Sequence, residues 1–394
     1  MTAAIAWIDS TISRMRELPS ETVAMCDAAG RILAEEIVSD VDVPGFFRSM
    51  MDGFALQAHQ TQGASTYNPI QLEIIGDSFP GRPYSSNVLP GQAVRIMTGA
   101  PMPSGADSVL PCEFAEAHSN QLAALGEVSP GKNVGTVGED VRRGTVVFQC
   151  GRLLRPQDVG VLSSIGRGAV RVIRRPRVGI LITGDELLAS GSRPTGFRIA
   201  DANGPMLQAL VTRDGGHVLS TDIIRDDRNL LTAAMNQPAD IILVSGGSSV
   251  GQEDHAPRIL AEHGSLVIHG IAMRPSSPAG MGHLDQRMVF LLPGNPVSCL
   301  CAYDFFAGRA IRALGGRDRD WPYRRVHATL SRKLVSTVGR VDYARVKLVG
   351  AMVEPMAISG AAILTSTTMA DGFVIVPSDS EGYAAFTEVD VFLY

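Results

Sequence analysis

Acidic side chains follow three apolar runs in the middle of this sequence, and a glycine-rich stretch precedes the last of them. The acids are Glu186, Asp226 and Asp254. Glycine lets backbone N–H groups approach a phosphate, but carboxylates nearby would repel that phosphate unless a hard cation lay between them. Mg²⁺ is commonly bound by carboxylates together with substrate phosphates. The pattern therefore predicts a Mg²⁺–phosphate site with these three acids as ligands.

The simpler interpretation of a single acid in a loop is a helix cap or a solvated turn. We assign that role to Asp185 and Asp227, which neighbour two of the candidate ligands. The sequence has no GxxxxGK[ST] motif and no GxGxxG after a strand, which disfavours P-loop and dinucleotide-binding proteins. Its histidines and cysteines show no metal-ligand spacing, and it shows no nucleophile–base motif such as GxSxG.

The elements that would position these acids lie in residues 173–318, where continuous apolar runs alternate with amphipathic helical stretches. Strands that are apolar throughout are typical of a parallel sheet covered by helices on both faces. In such doubly wound folds, ligands bind beyond the carboxyl ends of the strands. Asn203 is predicted to cap the helix over residues 205–212, which ends at Gly215.

The flanking regions have other patterns. Residues 3–17 and 20–34 are predicted to be helical, as are residues 153–164. Short β-like runs separated by Gly/Pro turns predict a β-rich module before residue 141, and alternating runs after residue 322 predict a small barrel or sandwich. The predicted domains are a discontinuous helical arm (1–45 and 142–172), an inserted β-rich domain (46–141), the α/β domain (173–318) and a C-terminal β-barrel (319–394).

Composition limits the partners. Lys and Arg number 35 against 40 Asp and Glu, a formal net charge of −5, and no run of basic residues occurs. This argues against nucleic acid or an anionic membrane as a main partner. No apolar stretch reaches the length of about 18 residues that a transmembrane helix needs, and the amino terminus lacks the features of a secretion signal. We expect a cytoplasmic protein with a small ligand.

Several motifs together resemble one family. They are SMMDGFA (49–55), MTGAPMPSGADSV (97–109), GEDV (138–141), ITGDEL (182–187), RDD (225–227), VSGGSSVGQEDH (244–255) and LPGNPVS (292–298). In this order they resemble the MoeA family of molybdopterin molybdenumtransferases, which includes the E domain of gephyrin. The resemblance implies an elongated helical arm with an inserted β-rich domain, an α/β domain similar to MogA-type adenylyltransferases, and a C-terminal β-barrel. It also implies a homodimer in which each active cleft lies between the α/β domain of one chain and the inserted domain of the other.

The implied reaction consumes adenylylated molybdopterin and molybdate, needs Mg²⁺, and releases AMP. A molybdopterin adenylyltransferase is the protein partner that this chemistry suggests. By position, the resemblance assigns catalytic roles to Glu186, Asp226 and Asp254 in the α/β domain, and to Asp52, Thr98 and Asp140 in the inserted domain. The predicted substrate-binding residues are Ser49, Asn203, Gly246, Gly247, Ser248, Arg274, Ser277, Pro293, Asn295, Pro296 and Arg340.

The sequence departs from the family pattern near the expected molybdate pocket. The family usually has KPGKP where this chain has RPSSP, so that Arg274 keeps one positive charge but Ser277 replaces the second lysine. Ala361 stands where an anion-binding serine is common, and Gly135 where arginine is common. Two further functions therefore stay open: a paralogue that binds molybdopterin nucleotides without inserting metal, and a general Mg²⁺-dependent nucleotide hydrolase.

Overall fold

The computed structural model describes residues 1–247, 255–357, 360 and 362–394. These residues form two compact units. One contains Met1–Thr22, Gly30–Ile32 and Arg171–Tyr394, and the other contains Val23–Ala29 and Leu33–Val170. This division does not separate the predicted inserted domain from the arm segments beside it, so the predicted boundaries at residues 45/46 and 141/142 stay a prediction.

The second unit is built on a six-stranded sheet. In spatial order its strands are Ser108–Pro111, Gly53–Leu56, Gln92–Ile96, Ile70–Ser78, Gln121–Ala124 and Ala115–His118. Two further pairs of short strands belong to this unit: Ile37–Val38 pairs with Val146–Phe148, and Arg48–Ser49 pairs with Val134–Gly135. The unit also contains the 3₁₀ turns Ala58–Thr61 and Cys112–Phe114 and the helix Pro156–Ser164. Proline begins that helix, at a position where its missing N–H has no intrahelical partner to lose. The prediction of a β-rich module is confirmed.

Residues 20–34 are not helical, so that prediction is wrong. They form the strand Ser20–Ala24, which pairs with Ala169–Ile173, and a 3₁₀ turn at Met25–Asp27. Thr22 and Val23 are β-branched, which favours a strand once a partner strand is present. The partner comes from about 150 residues away along the chain, so a local helical pattern could not reveal it.

The α/β part of the first unit is a six-stranded sheet whose first four strands are parallel. In spatial order these are His217–Ile224, Arg177–Thr183, Ile241–Ser245 and Arg287–Leu292. Gly280–Leu284 follows and runs antiparallel to Arg287–Leu292, and the edge strand Ser265–His269 pairs antiparallel with Gly280–Leu284, so one edge departs from the predicted all-parallel sheet. The central strand Ile241–Ser245 is buried along its whole length, which explains its continuous apolar sequence.

Helices cover both faces of this sheet, which confirms the doubly wound α/β fold. On one face Asn203–Arg213, Thr2–Arg14 and the helical run 296–314 share a core with alternate strand residues such as Ile180. That run consists of Pro296–Ala302, the π-helical Tyr303–Ala307 and Gly308–Leu314. On the other face Arg228–Met235 and His255–His263 pack against intervening residues such as Leu181 and Val244.

The C-terminal region is a closed five-stranded β-barrel, as predicted. Around the ring its strands are Val341–Val349, Met352–Ala357, Arg324–Leu330, Glu388–Leu393 and Gly372–Val376, and the last pairs again with the first. This unit also has several short elements. The strand Met273–Arg274 adds to the barrel strand Val341–Val349. Leu187–Leu188 pairs with Ile199–Ala200, Leu334–Val335 pairs with Gly382–Tyr383, and Thr365–Thr368 is a short helix.

A membrane-spanning helix is not found in the described ranges, because none of their helices combines sufficient length with sufficient apolar character.

Candidate functional site

A cleft of about 620 Å³ opens at the carboxyl ends of the parallel strands. Loops that follow neighbouring strands form its walls, which is the position expected for a ligand site in this class of fold. Among the residues predicted to act in catalysis or binding, those that line it are Glu186, Asn203, Asp226, Gly246, Gly247, Pro293, Asn295 and Pro296. The structure thus brings together most of the residues predicted for the α/β domain.

Glu186 and Asp226 both line this cleft. Their loops are in contact, because the Asp226 backbone N–H donates to Asp185 Oδ1 at 3.3 Å. Partial burial raises the pKa of Asp226, a hydrogen bond from the Asp185 backbone lowers it, the nearby carboxylates of Asp185 and Glu186 raise it further, and His255 lowers it. Concentrated negative charge of this kind favours a bound cation.

Asp254, the third predicted ligand, lies outside the described residues, as does Ser248. Within the ranges that are described, no three His, Cys, Asp or Glu side chains are grouped in a way that could hold a metal ion. The Mg²⁺ role of the acids therefore stays a prediction. Asp227 has its expected capping role, since its carboxylate accepts the Leu230 N–H at 2.9 Å at the start of the helix Arg228–Met235.

Close packing explains the first glycine of the predicted phosphate loop. Gly246 has φ +96°, and a Cβ there would lie 2.4 Å from Thr183 O and 2.7 Å from Thr183 Oγ1. Its N–H donates to Leu292 O at 3.1 Å, so this donor is used inside the fold. Gly247, at φ +51°, is the remaining described glycine of the pair.

Asn203 is the first residue of its helix and not the predicted cap. Its amide Nδ2 donates to Ser245 Oγ at 3.0 Å and to Gly294 O at 2.8 Å, which joins the start of the helix to a strand end and to the loop at Gly294, all three of which line the cleft. These two bonds fix the orientation of the amide. Asn203 is only 6% exposed, and its Oδ1 has no hydrogen-bond partner among the residues described.

Two further residues of the cleft escaped the sequence analysis, Thr183 and Asp201. Asp201 Oδ1 accepts the Gly204 N–H at 2.9 Å and so supplies the capping contact expected of Asn203. An acid three residues before a glycine at a helix start is a signal that could have found it. Thr183 is the last residue of its strand, which places it at the edge where ligands bind.

Arg274, Ser277 and Arg340, which are predicted to bind substrate, are absent from the described lining of the cleft. Arg274 and Arg340 instead contact Asp342, a fully buried carboxylate of the barrel. Ser277 is exposed, and its carbonyl accepts the Ile271 N–H at 2.8 Å. Ala361 lies outside the described residues.

In the second compact unit, Asp52 and Thr98 are in contact. Asp52 Oδ1 accepts both the Thr98 backbone N–H and the Thr98 hydroxyl, each at 2.7 Å, and these bonds lower the pKa of Asp52. Ser49 is buried and donates from Oγ to Met51 O at 2.5 Å, which makes it part of the turn. Asp140 is exposed, and its backbone N–H donates to Val43 O at 3.1 Å.

Three family models together match most of the chain. The MoeA N-terminal region (domain I and II) matches residues 1–166, a probable molybdopterin binding domain matches residues 179–313, and the MoeA C-terminal region (domain IV) matches residues 327–394.

Individual proteins match over nearly the full length. A molybdopterin molybdenumtransferase from Staphylococcus aureus is 31% identical over 395 residues, covering 98% of this chain and 94% of that protein. Molybdopterin molybdenumtransferase 2 from Mycobacterium tuberculosis is 32% identical, with 96% of each chain covered. The crystal structure of the molybdopterin biosynthesis MoeA protein from Pyrococcus horikoshii superimposes with a TM-score of 0.80 at 31% identity and covers 99% of both chains. The chain therefore belongs to the MoeA family.

Proposed function

We propose that this protein inserts molybdenum into adenylylated molybdopterin, cleaving its diphosphate and releasing AMP. The observation that carries the proposal is the single cleft in which Glu186 and Asp226 lie beside Gly247 and Asn203. A diphosphate needs neutralised charge and fixed donors, and this cleft offers carboxylates for a cation together with polar groups at a sheet edge. Family membership supplies the class of substrate.

The residues of the cleft fit a magnesium ion. Glu186 and Asp226 would hold it, together with Asp254 as the resemblance to the family implies. Oxygen is the ligand atom that Mg²⁺ prefers, and carboxylates supply it. Burial first, and then the like charges of Asp185 and Glu186, raise the pKa of Asp226, and a divalent ion would offset those charges. Such an ion neutralises phosphate charge and makes a bound water more acidic.

The remaining groups of the cleft would bind and orient the nucleotide. The Asn203 amide is held rigidly by Ser245 and Gly294, which leaves Oδ1 to accept a donor from the substrate. Gly247 has positive φ and no side chain, so a phosphate oxygen can come close to its backbone. Pro293 and Pro296 hold the facing loop in a fixed conformation.

Asp52, Thr98 and Asp140 are proposed to act in the reaction from the second compact unit, within a homodimer. Complementation tests both parts of this proposal. Asp52→Asn and Asp226→Asn are each expected to abolish AMP release, and mixed dimers of the two variants are expected to recover part of it. Each mixed dimer would contain one cleft that carries neither substitution. An unchanged rate after mixing under conditions of proven subunit exchange would contradict the shared cleft.

AMP release from adenylylated molybdopterin, with Mg²⁺ and molybdate varied separately, tests the activity. We expect release to depend on both, and Glu186→Gln to reduce it at least about a hundredfold. Glu262→Gln is a matched control, because Glu262 pairs with Arg228 at the surface of the same α/β fold and is absent from the cleft lining. No AMP release at millimolar molybdate would contradict the proposed reaction.

One observation favours the alternative of a nucleotide-binding paralogue: Ser277 offers only a hydroxyl where the family pattern has a second lysine. This alternative predicts tight nucleotide binding without molybdate-dependent turnover, and gain of turnover in the double variant Ser277→Lys, Ala361→Ser. A fully active wild-type protein excludes it. An adenylyltransferase that supplies the substrate remains the proposed protein partner.

A further inference from the structure

Two arginine side chains converge on one buried carboxylate at the junction of the barrel and the α/β fold. Arg274 Nη2 lies 2.5 Å from Asp342 Oδ2, and Arg340 Nε lies 3.3 Å from Asp342 Oδ1. Ser336 Oγ donates to Asp342 Oδ2 at 2.7 Å. Asp342 is fully buried, whereas about a third of each arginine side chain is exposed (31% and 34%).

The backbone places these groups together. The short strand Met273–Arg274 pairs in parallel with the barrel strand Val341–Val349, with Arg274 opposite Asp342. The Val341 N–H donates to Ala272 O at 2.9 Å and extends this contact by one residue. The strand pairing therefore brings Arg274 beside Asp342, and Arg340 lies two residues before Asp342 in the same chain segment.

The charges in this cluster do not balance. Among the ion pairs of the described residues, two guanidinium groups face one carboxylate here, which leaves one positive charge in excess at a partly buried site. Buried charges are normally paired, and an excess cation favours an anion as a further partner. In the described part of the chain, Arg274 Nε has no hydrogen-bond partner, so donor capacity remains.

The loop that begins at Arg274 reaches the wall of the cleft. Pro278 lines the cleft, and between them Ser276 is buried with φ +92°, a conformation that favours glycine. Ser276 Oγ donates to Ser298 O at 2.5 Å, in the helix whose first residue, Pro296, also lines the cleft. The loop is thus fixed at two points, where Arg274 contacts Asp342 and where Ser276 contacts Ser298.

We propose that Asp342 is a positioning residue that holds Arg274 and Arg340 together so that their unused N–H donors bind one tetrahedral oxyanion beside the cleft. The inference rests on the proposed function, which makes molybdate the oxyanion. Planar guanidinium groups fixed by a carboxylate bind an anion with less loss of entropy than free arginines do. Asp342 would thereby preserve anion binding in a loop that has serine in place of its second lysine.

Asp342→Asn distinguishes positioning from simple charge. Removal of a negative charge should by itself strengthen anion binding, whereas loss of alignment should weaken it. We expect the KM for molybdate to rise about tenfold to a hundredfold, with kcat and the Kd for AMP unchanged. Asp390→Asn is the matched control, because Asp390 lies on the same barrel and pairs with Arg325 and His327 at the surface. Its KM for molybdate should stay at the wild-type value.

An unchanged or lowered KM for molybdate in Asp342→Asn overturns the inference. If that variant fails to fold, Arg340→Lys decides: it keeps the charge but loses the planar fork, so a raised KM supports positioning and an unchanged KM contradicts it. Calorimetric titration with molybdate alone separates this inference from the proposed reaction. A wild-type protein that binds molybdate but releases no AMP contradicts the reaction only, whereas equal molybdate affinity in wild type and Asp342→Asn contradicts the inference only.

Discussion

Gly246→Ala perturbs the cleft at the point where its loops are packed most closely. A Cβ at this position would lie 2.4 Å from Thr183 O, closer than real Cβ contacts come, and φ +96° is unfavourable for any L side chain. The backbone conformation alone costs about 1–3 kcal/mol. Overlap with a strand-end carbonyl adds about 1–3 kcal/mol, because the loop must move away from Thr183.

Gly270→Ala separates these two costs. Gly270 has φ +81°, but nothing lies within 4 Å of the position of its Cβ. Urea unfolding should therefore show a loss of about 1–3 kcal/mol for Gly270→Ala and roughly twice that for Gly246→Ala. AMP binding should fall at least about tenfold in Gly246→Ala and stay unchanged in the control. Equal unfolding free energies with full AMP binding in both variants would refute the close packing of this loop on Thr183.

Three further perturbations test separate parts of the account. Asn203→Leu leaves the Gly294 carbonyl and the Ser245 hydroxyl without their amide donor, so unfolding should cost about 1–3 kcal/mol less. The control Ala209→Leu, at an exposed position of the same helix, should change stability by under about 0.5 kcal/mol. Burial and neighbouring carboxylates raise the pKa of Asp226, so the folded state holds this proton to higher pH than the unfolded state does, and metal-free stability falls as pH rises from the ordinary value of 3.8 to the raised pKa. Asp226→Asn should remove this fall and exceed the wild type in thermal stability at neutral pH without Mg²⁺. A lower stability there would contradict the cost of an ionised Asp226 in this cleft. Thr98→Val should move the pKa of Asp52 up toward its ordinary value, as measured by carboxyl chemical shifts during an NMR titration, and an unchanged pKa would show that the hydrogen bond from the Thr98 hydroxyl does not form in solution.

The sequence was most informative where one physical requirement acts along a continuous segment. Strands buried on both faces must be apolar throughout, so Ile241–Ser245 and its neighbours could be located together with the loops that follow them. Because carboxyl ends of parallel strands meet at one edge, Glu186 and Asp226 could be placed in one cleft before any coordinates were known.

Features that depend on distant partners could not be predicted in this way. The strand Ser20–Ala24 forms because Ala169–Ile173 is present, whereas its local pattern predicts a helix. The antiparallel edge strand Ser265–His269 is likewise defined by its pairing with Gly280–Leu284. Pairing between remote segments is absent from the local periodicity on which such predictions rest.

The same limit applies to side chains. Asn203 looked like a helix cap, but its role depends on acceptors from two other loops, Ser245 and Gly294. Arg274 and Arg340 were assigned to substrate, and only the strand pairing shows that Asp342 lies between them. A sequence shows which groups could bind an ion, whereas the fold decides which of them already have a partner.

The central claim is that carboxylates at successive strand ends hold a divalent cation in the cleft. Anomalous diffraction from crystals of the full chain grown with Mn²⁺ and AMP tests it most directly, since Mn²⁺ accepts the same oxygen ligands as Mg²⁺ and scatters anomalously. We predict one strong peak within bonding distance of both Glu186 and Asp226. A cleft that contains AMP but no peak, or a peak bound only to residues elsewhere, would contradict the account.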